Sequence, residues 1–177
     1  MIELTTPLTE EQIQNLKAGD MVTITGIIYT ARDAAHKRLV DLITQGKDLP
    51  LDLQGQIIYY AGPTPIKPGE VIGSIGPTTS GRMDAYAPIL MEKCGLKGML
   101  GKGQRNQTVI DSVKEYGCIY MATTGGAGAL LRKYIKSCEI VAYEDLGCEA
   151  IRKLRVENLP ALVINDIHGN DYYKNQK

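Results

Sequence analysis

From Met83 onward the chain alternates short helical and short extended segments, and no other feature of the sequence constrains its fold as tightly. Ala85 to Cys94, Gln107 to Tyr116, Ala129 to Ile135 and Leu146 to Leu154 read as helices. Gly98 to Leu100, Cys118 to Ala122, Glu139 to Ala142 and Ala161 to Asp166 read as strands. Helices between strands of about five residues imply parallel pairing with right-handed crossovers.

The first half is heavier in strand. Thr9, followed three residues later by Gln12, has the pattern of a capping box, so a short helix is expected from Thr9 to Lys17, ending at Gly19. Met21 to Tyr29 alternates Val22 and Ile24 with Thr23 and Thr25, as a half-buried strand does, and Gly26 interrupts the pattern. Asp33 can cap a helix whose apolar positions Ala35, Leu39, Leu42 and Ile43 recur at helical spacing, stopping near Gly46. Gln56 to Ala61 and Val71 to Ile75 read as further strands around a proline-rich turn, Gly62 to Pro65. The expected architecture is a single α/β domain spanning 1–177, with a β-rich N-terminal half packed on a β/α half whose strands are parallel. Residues 172–177 are polar and expected to fray.

Composition removes several classes of function. Twenty basic residues balance twenty acidic ones, so no net field favours nucleic acid or an anionic membrane. No apolar run reaches the ~18 residues of a membrane span, and Met1 to Glu11 carries acids and threonines where a signal peptide would be basic and then apolar. The expected address is cytoplasmic. Cys94, Cys118, Cys138 and Cys148 form no CxxC pair, so spacing gives no metal site, and mostly buried, reduced thiols are expected.

Three stretches combine glycine, hydroxyl and cation more densely than packing demands. In Thr30 to Arg38, Arg32 precedes a helix start, where its guanidinium and the free backbone N–H groups can face one anion; alternatively Arg32 is a solvated loop residue. In Gly76 to Asp84, Thr78, Thr79 and Ser80 lie between glycines, and Arg82 offers a planar fork for a carboxylate. Thr79 or Ser80 as a helix cap, with Arg82 exposed, is the structural alternative. In Gly98 to Arg105, Lys102 stands between two glycines that leave room for a ligand at its ammonium, without the spacing of a nucleotide phosphate loop. A fourth stretch, Thr123 to Ala129, can cradle an anion or serve helix-to-sheet packing, and is given no catalytic role. His36 and His168 suggest surface or hydrogen-bonding roles, not a metal site.

Taken together, GPTTSGRMD (Gly76 to Asp84), LKGMLGKGQR (Leu96 to Arg105), GGAGALL (Gly125 to Leu131) and VAYEDLGCEAIRKL (Val141 to Leu154) resemble the C-terminal region of class I fumarases, and TARDAAHKR (Thr30 to Arg38) is similar to the same family. The resemblance implies a swivelling β/β/α domain and, at this length, the β subunit of a two-chain enzyme. It implies a hetero-oligomer with an α subunit that holds a 4Fe-4S cluster, and reversible hydration of fumarate to L-malate, a reaction of the tricarboxylic acid cycle. Carried over residue by residue, it places Arg32, Arg82 and Lys102 on the substrate and Thr78 on the position of a catalytic base, with no metal ligand in this chain. A threonine hydroxyl needs a tuning neighbour to act so, and the α subunit is the expected source. Three other readings stay open. They are an L(+)-tartrate dehydratase β subunit, a non-catalytic lid or assembly subunit, and an independent anion-binding module that would bind dicarboxylates alone.

Overall fold

A computed structural model describes residues 1–123 and 127–176. The elements in chain order are β1 (Ile2–Thr5), α1 (Glu10–Gln14), β2 (Met21–Thr30), α2 (Asp33–Thr44), β3 (Ile57–Tyr59), α3 (Ala87–Cys94), β4 (Gly98–Gly101), α4 (Gln107–Tyr116), β5 (Ile119–Ala122), α5 (Gly128–Leu131), β6 (Ile135–Ala142) and β7 (Ile151–Asn165). Three 3-10 segments lie at Ser80–Met83, Arg132–Tyr134 and Glu144–Glu149. No described helix is long and apolar enough to cross a membrane.

The local signals read above place several of these elements. Thr9 caps α1 as expected: the Gln12 N–H donates to Thr9 Oγ1 at 3.3 Å, and the Thr9 N–H donates to Gln12 Oε1 at 2.9 Å. Asn106 caps α4, whose end at Gly117 adopts the left-handed conformation that stops a helix.

All seven strands belong to one sheet, in the order β1-β2-β3-β4-β5-β7-β6. From β1 through β5 the pairings are parallel. Of the second-half strands expected to be parallel, however, only β4 and β5 are so, because the eight residues between β6 and β7 are too few for a crossover and leave that pair antiparallel. The antiparallel strand β7 pairs with β5 and β6 on one edge and with β2 on the other. The β2–β7 ladder therefore closes β2, β3, β4, β5 and β7 into a barrel-like ring. Strands from the two halves are neighbours within this sheet, so the halves join edge to edge and are not packed face on face.

Alternation along the strands divides the core. Val22, Ile24, Ile57, Tyr59, Leu100, Ile119, Met121 and Val156 belong to one buried cluster. Ile58, Tyr60, Met99 and Tyr120 point the other way, into a second cluster with Ala35 and Leu39 of α2, Leu90 and Met91 of α3, and Val109 and Val113 of α4. The three crossover helices thus cover one face of the parallel strands.

Besides β1, which the sequence reading left unassigned, two segments depart from it. Val71 to Ile75 is an irregular loop and not a strand, although Ile72 and Ile75 are buried. The loop is tied down by the Thr64 N–H donating to the Ser74 carbonyl at 2.9 Å and the Tyr59 hydroxyl donating to the Ile75 carbonyl at 2.8 Å. Apolar content alone made it resemble a strand. Leu146 to Leu154 is not a helix: the Glu144–Glu149 segment contains Gly147 at φ 61, ψ −119, and β7 starts at Ile151. Leu154 pairs with Ile28 on one side and Cys138 on the other, and that ladder overrides the helical spacing of the apolar residues.

Tyr172 N–H donates to the Ile164 carbonyl at 2.8 Å, and Tyr172 and Tyr173 pack against the second cluster. Lys177 lies outside the described residues. The four cysteines are free, with Cys118 buried, Cys94 and Cys138 half-buried and Cys148 exposed, the last against the expectation of mostly buried thiols.

Leu154 is fully buried where β2 and β6 both pair with β7. Leu154→Ala is expected to destabilise the chain by about 2–5 kcal/mol, read as a lower urea midpoint at unchanged slope.

Candidate functional site

Parallel strands that point one way deliver their following loops to one edge of the sheet, where ligands of α/β proteins commonly bind. The register aligns Thr30 with Tyr59, Tyr59 with Leu100 and Leu100 with Met121. Arg32 and Lys102 each lie two residues past that row, just beyond the ends of β2 and β4, with β3 between those strands. Their backbones are therefore separated by about two strand spacings, roughly 10 Å.

The hydroxyl-rich loop crosses the same edge. Thr78 N–H donates to the Tyr60 carbonyl at 2.6 Å, and Ser80 N–H donates to the Lys102 carbonyl at 2.9 Å, so Thr79 makes an extra parallel bridge beside Lys102. The following 3-10 turn carries Arg82 back to α2, where its Nε–H donates to Asp33 Oδ1 at 3.0 Å. Arg32, Thr78, Arg82 and Lys102, chosen from three separate stretches, thus share one end of the sheet. The Lys102 side chain is exposed and Thr78 is half-buried. Among the described residues, no acceptor is hydrogen-bonded to the Thr78 hydroxyl.

Arg32 occupies the N-cap position of α2 but cannot cap it, having no side-chain acceptor. Glu149 takes over: its Oε1 lies 3.5 Å from the Ala34 N–H and 3.9 Å from Arg32 Nε. The anion expected to face both Arg32 and the helix N-terminus is therefore, in this structure, a carboxylate of the chain itself. Reading residues 146–154 as a helix concealed this role.

Below the loops sits Arg105, a residue to which the sequence assigned no function. Its side chain is fully covered. Nε–H donates to Asp84 Oδ1 at 2.6 Å, and the guanidinium lies 4.8 Å from the Tyr120 ring centre and 5.2 Å from that of Tyr60. Asp84 Oδ2 accepts from the Asn106 N–H at 2.9 Å. Burial opposes the charge on Arg105, but Tyr60 and Asp84 hold its pKa above the ordinary value.

The Tyr120 hydroxyl lies 2.7 Å from the Gly103 carbonyl and 2.9 Å from Ser80 Oγ. A carbonyl only accepts, so the phenol donates to Gly103 and accepts from Ser80. These contacts stitch the loop bearing Thr78 and Arg82 to the turn bearing Lys102. They also commit Ser80 to structure. Gly101 permits the approach, since a Cβ there would collide with Ser80 Oγ.

His36 is buried, not a surface residue, and serves a hydrogen-bonding role. Its Nδ1–H donates to the Arg32 carbonyl at 2.8 Å, while Nε2 has no partner. Burial is the main cause lowering its pKa from 6.5 to about 4. His168 is exposed. Of the fourth stretch, Thr124 to Gly126 lies outside the described residues; Gly128 beyond it accepts from the Ile75 N–H at 3.2 Å.

Comparison with known proteins adds an independent observation. A family model described as fumarase C-terminus matches residues 1–176. The chain is 41% identical over 176 residues to the anaerobic class I fumarate hydratase of Escherichia coli, covering 98% of this chain and 32% of that protein. A putative class I fumarate hydratase of Geobacillus stearothermophilus is 42% identical over 178 residues, covering 98% and 34%. A putative L(+)-tartrate dehydratase subunit beta of Methanocaldococcus jannaschii is 38% identical over 172 residues, covering 94% and 88%. The chain thus spans about a third of the fumarate hydratases' length and most of the tartrate dehydratase subunit.

The depressed pKa of His36 has a consequence for stability. The folded state binds the imidazole proton less readily than the unfolded chain, so this contribution is complete above pH 6.5 and is lost as pH falls toward 4. His36→Phe is expected to flatten the wild-type decline between pH 6.5 and 5 by up to about 1.4 kcal/mol per pH unit, as measured by urea unfolding.

Proposed function

Because the chain belongs to the fumarase C-terminus family, we propose that it is the β subunit of a two-chain, cytoplasmic class I fumarate hydratase, interconverting fumarate and L-malate. The observation that carries this reading is the convergence of Arg32, Arg82 and Lys102, from three loops, on one end of the parallel strands. A four-carbon dicarboxylate needs cationic partners at both ends. The separation of Arg32 from Lys102 suits such a ligand, with Arg82 reaching in beside Arg32 through its contact with Asp33.

Each residue then has a task. Arg32 and Arg82 orient one carboxylate, and Lys102 meets the other. These fixed charges stabilise the negative charge that develops on the carboxylate as a proton leaves the adjacent carbon. Thr78 stands at that carbon as the candidate base. With no hydrogen-bond acceptor on its hydroxyl among the described residues, it requires a neighbour from the α subunit to take a proton near neutral pH.

The donor set here, cations and hydroxyls with no metal-ligating group among the described residues, suits a chain that faces a 4Fe-4S cluster held by another subunit. Such a cluster supplies a Lewis acid for the hydroxyl that is added or removed. Swivelling of this domain over the α subunit would exclude water from the loops gathered here. L(+)-tartrate dehydration is a second reading, favoured by the 88% coverage of the tartrate dehydratase subunit.

The test is anaerobic co-expression with the cognate α subunit, followed by parallel assays of fumarate and L-tartrate. Fumarate turnover requiring both chains is expected; preference for tartrate would select the second reading, and turnover of neither would refute both. In the active complex, Arg82→Ala should lower kcat/KM by about a hundredfold or more without loss of assembly. Thr78→Ala should cost about 10²- to 10⁴-fold, and a loss under about tenfold would remove Thr78 as base.

A further inference from the structure

We propose that Asp33 and Glu149 are positioning residues for the two arginines, restraining each guanidinium from its Nε side so that both Nη nitrogens face the ligand. The inference rests on the dicarboxylate reading of the site given above.

Each arginine has a carboxylate on its Nε side, hydrogen-bonded in one case and at ion-pair range in the other. Arg82 donates through Nε to Asp33 Oδ1 at 3.0 Å, and Arg32 turns its Nε toward Glu149 Oε1 at 3.9 Å. Among the described residues, the Nη atoms of neither arginine have a hydrogen-bond partner. Arg32 Nε is buried and also lacks a hydrogen bond, so Glu149 offers it charge compensation at ion-pair range. A guanidinium meets a carboxylate best through two parallel N–H bonds. An acceptor on the Nε side leaves the Nη pair available for that contact and limits rotation of the stem.

Both carboxylates are anchored where they can do this. Asp33 is the first residue of α2. Glu149 ends its 3-10 segment against the first turn of that helix, with Oε1 accepting from the Ala34 N–H. Asp33 Oδ2 is buried without a partner, so the contact with Arg82 is the one side-chain hydrogen bond this carboxylate makes among the described residues. Two carboxylates beside an anion site lower its net positive charge. A site built only for charge would omit them, whereas one built for orientation has a use for them.

The opposite arrangement has an opposite sign. If Asp33 and Glu149 merely compete with the ligand for the arginines, removing either charge tightens binding. If they position the arginines, removal obliges the ligand to immobilise a mobile side chain itself.

The experiment compares wild type with Asp33→Asn, Glu149→Gln and the control Asp41→Asn in the co-expressed complex, using whichever of fumarate and L-tartrate it turns over. Asp41 pairs with Lys37 on the exposed side of α2 and reports the effect of losing one negative charge. KM is expected to rise about three- to tenfold in each site variant, the range for fixing one flexible side chain, while kcat, thermal midpoint and the control stay near wild type. A purely structural role would lower the thermal midpoint or the active fraction and leave KM unchanged, and unchanged or lower KM would overturn the proposal alone. A wild-type complex that turns over neither substrate would overturn the site reading, and the inference with it.

Discussion

The antiparallel ladder between β2 and β7 organises the whole fold. Met21 to Thr30 pairs along Arg152 to Leu162, joining a strand near the start of the chain to one near its end. That pairing turns an open run of parallel strands into a ring and gives the Leu4, Val22, Leu154 and Val156 side chains a closed interior. It also sets where β2 ends, and so where Arg32 leaves the sheet. The short segment before β7 is delivered beside α2, bringing Glu149 to Arg32. The pairing that closes the ring therefore also places Glu149 beside Arg32 at one corner of the candidate site.

The other side of the site is organised by a charge that water cannot reach. Arg105 lies between two tyrosine rings with Asp84 as its carboxylate partner, and the desolvation cost of such a pair is recovered only when its geometry and remaining hydrogen bonds are satisfied. Asp84 meets the Asn106 N–H with its second oxygen, Tyr60 accepts from the guanidinium at 3.3 Å, and Tyr120 links Ser80 to Gly103. The polar network fixes the relative position of two loops that carry Arg82 and Lys102. The exposed cations are thus held in place by a buried one.

Local chemistry was legible in the sequence where it acts locally. The Thr9 box marks α1, the periodicity of Gln107 to Tyr116 marks α4, and glycines beside hydroxyls and cations marked the loops that meet at the strand ends. What escaped notice depends on distant partners. β1 and the first ten residues of β7 are strands because β2 lies beside them, while IRKLR by itself has helical apolar spacing. Asp33, Asp84, Arg105 and Glu149 are ordinary charged residues in isolation. Their roles come from partners 49, 21 and 115 residues away in sequence, which no periodicity reports.

The role proposed for this chain is to supply the cations that hold a dicarboxylate, and not only a cover over another subunit's site. A crystal structure of the assembled complex with a bound dicarboxylate would test it. Carboxylate oxygens are expected within about 3 Å of the Nη atoms of Arg32 and Arg82 at one end of the ligand and of Lys102 Nζ at the other. A ligand held wholly by the partner, with these three side chains in solvent, would contradict it.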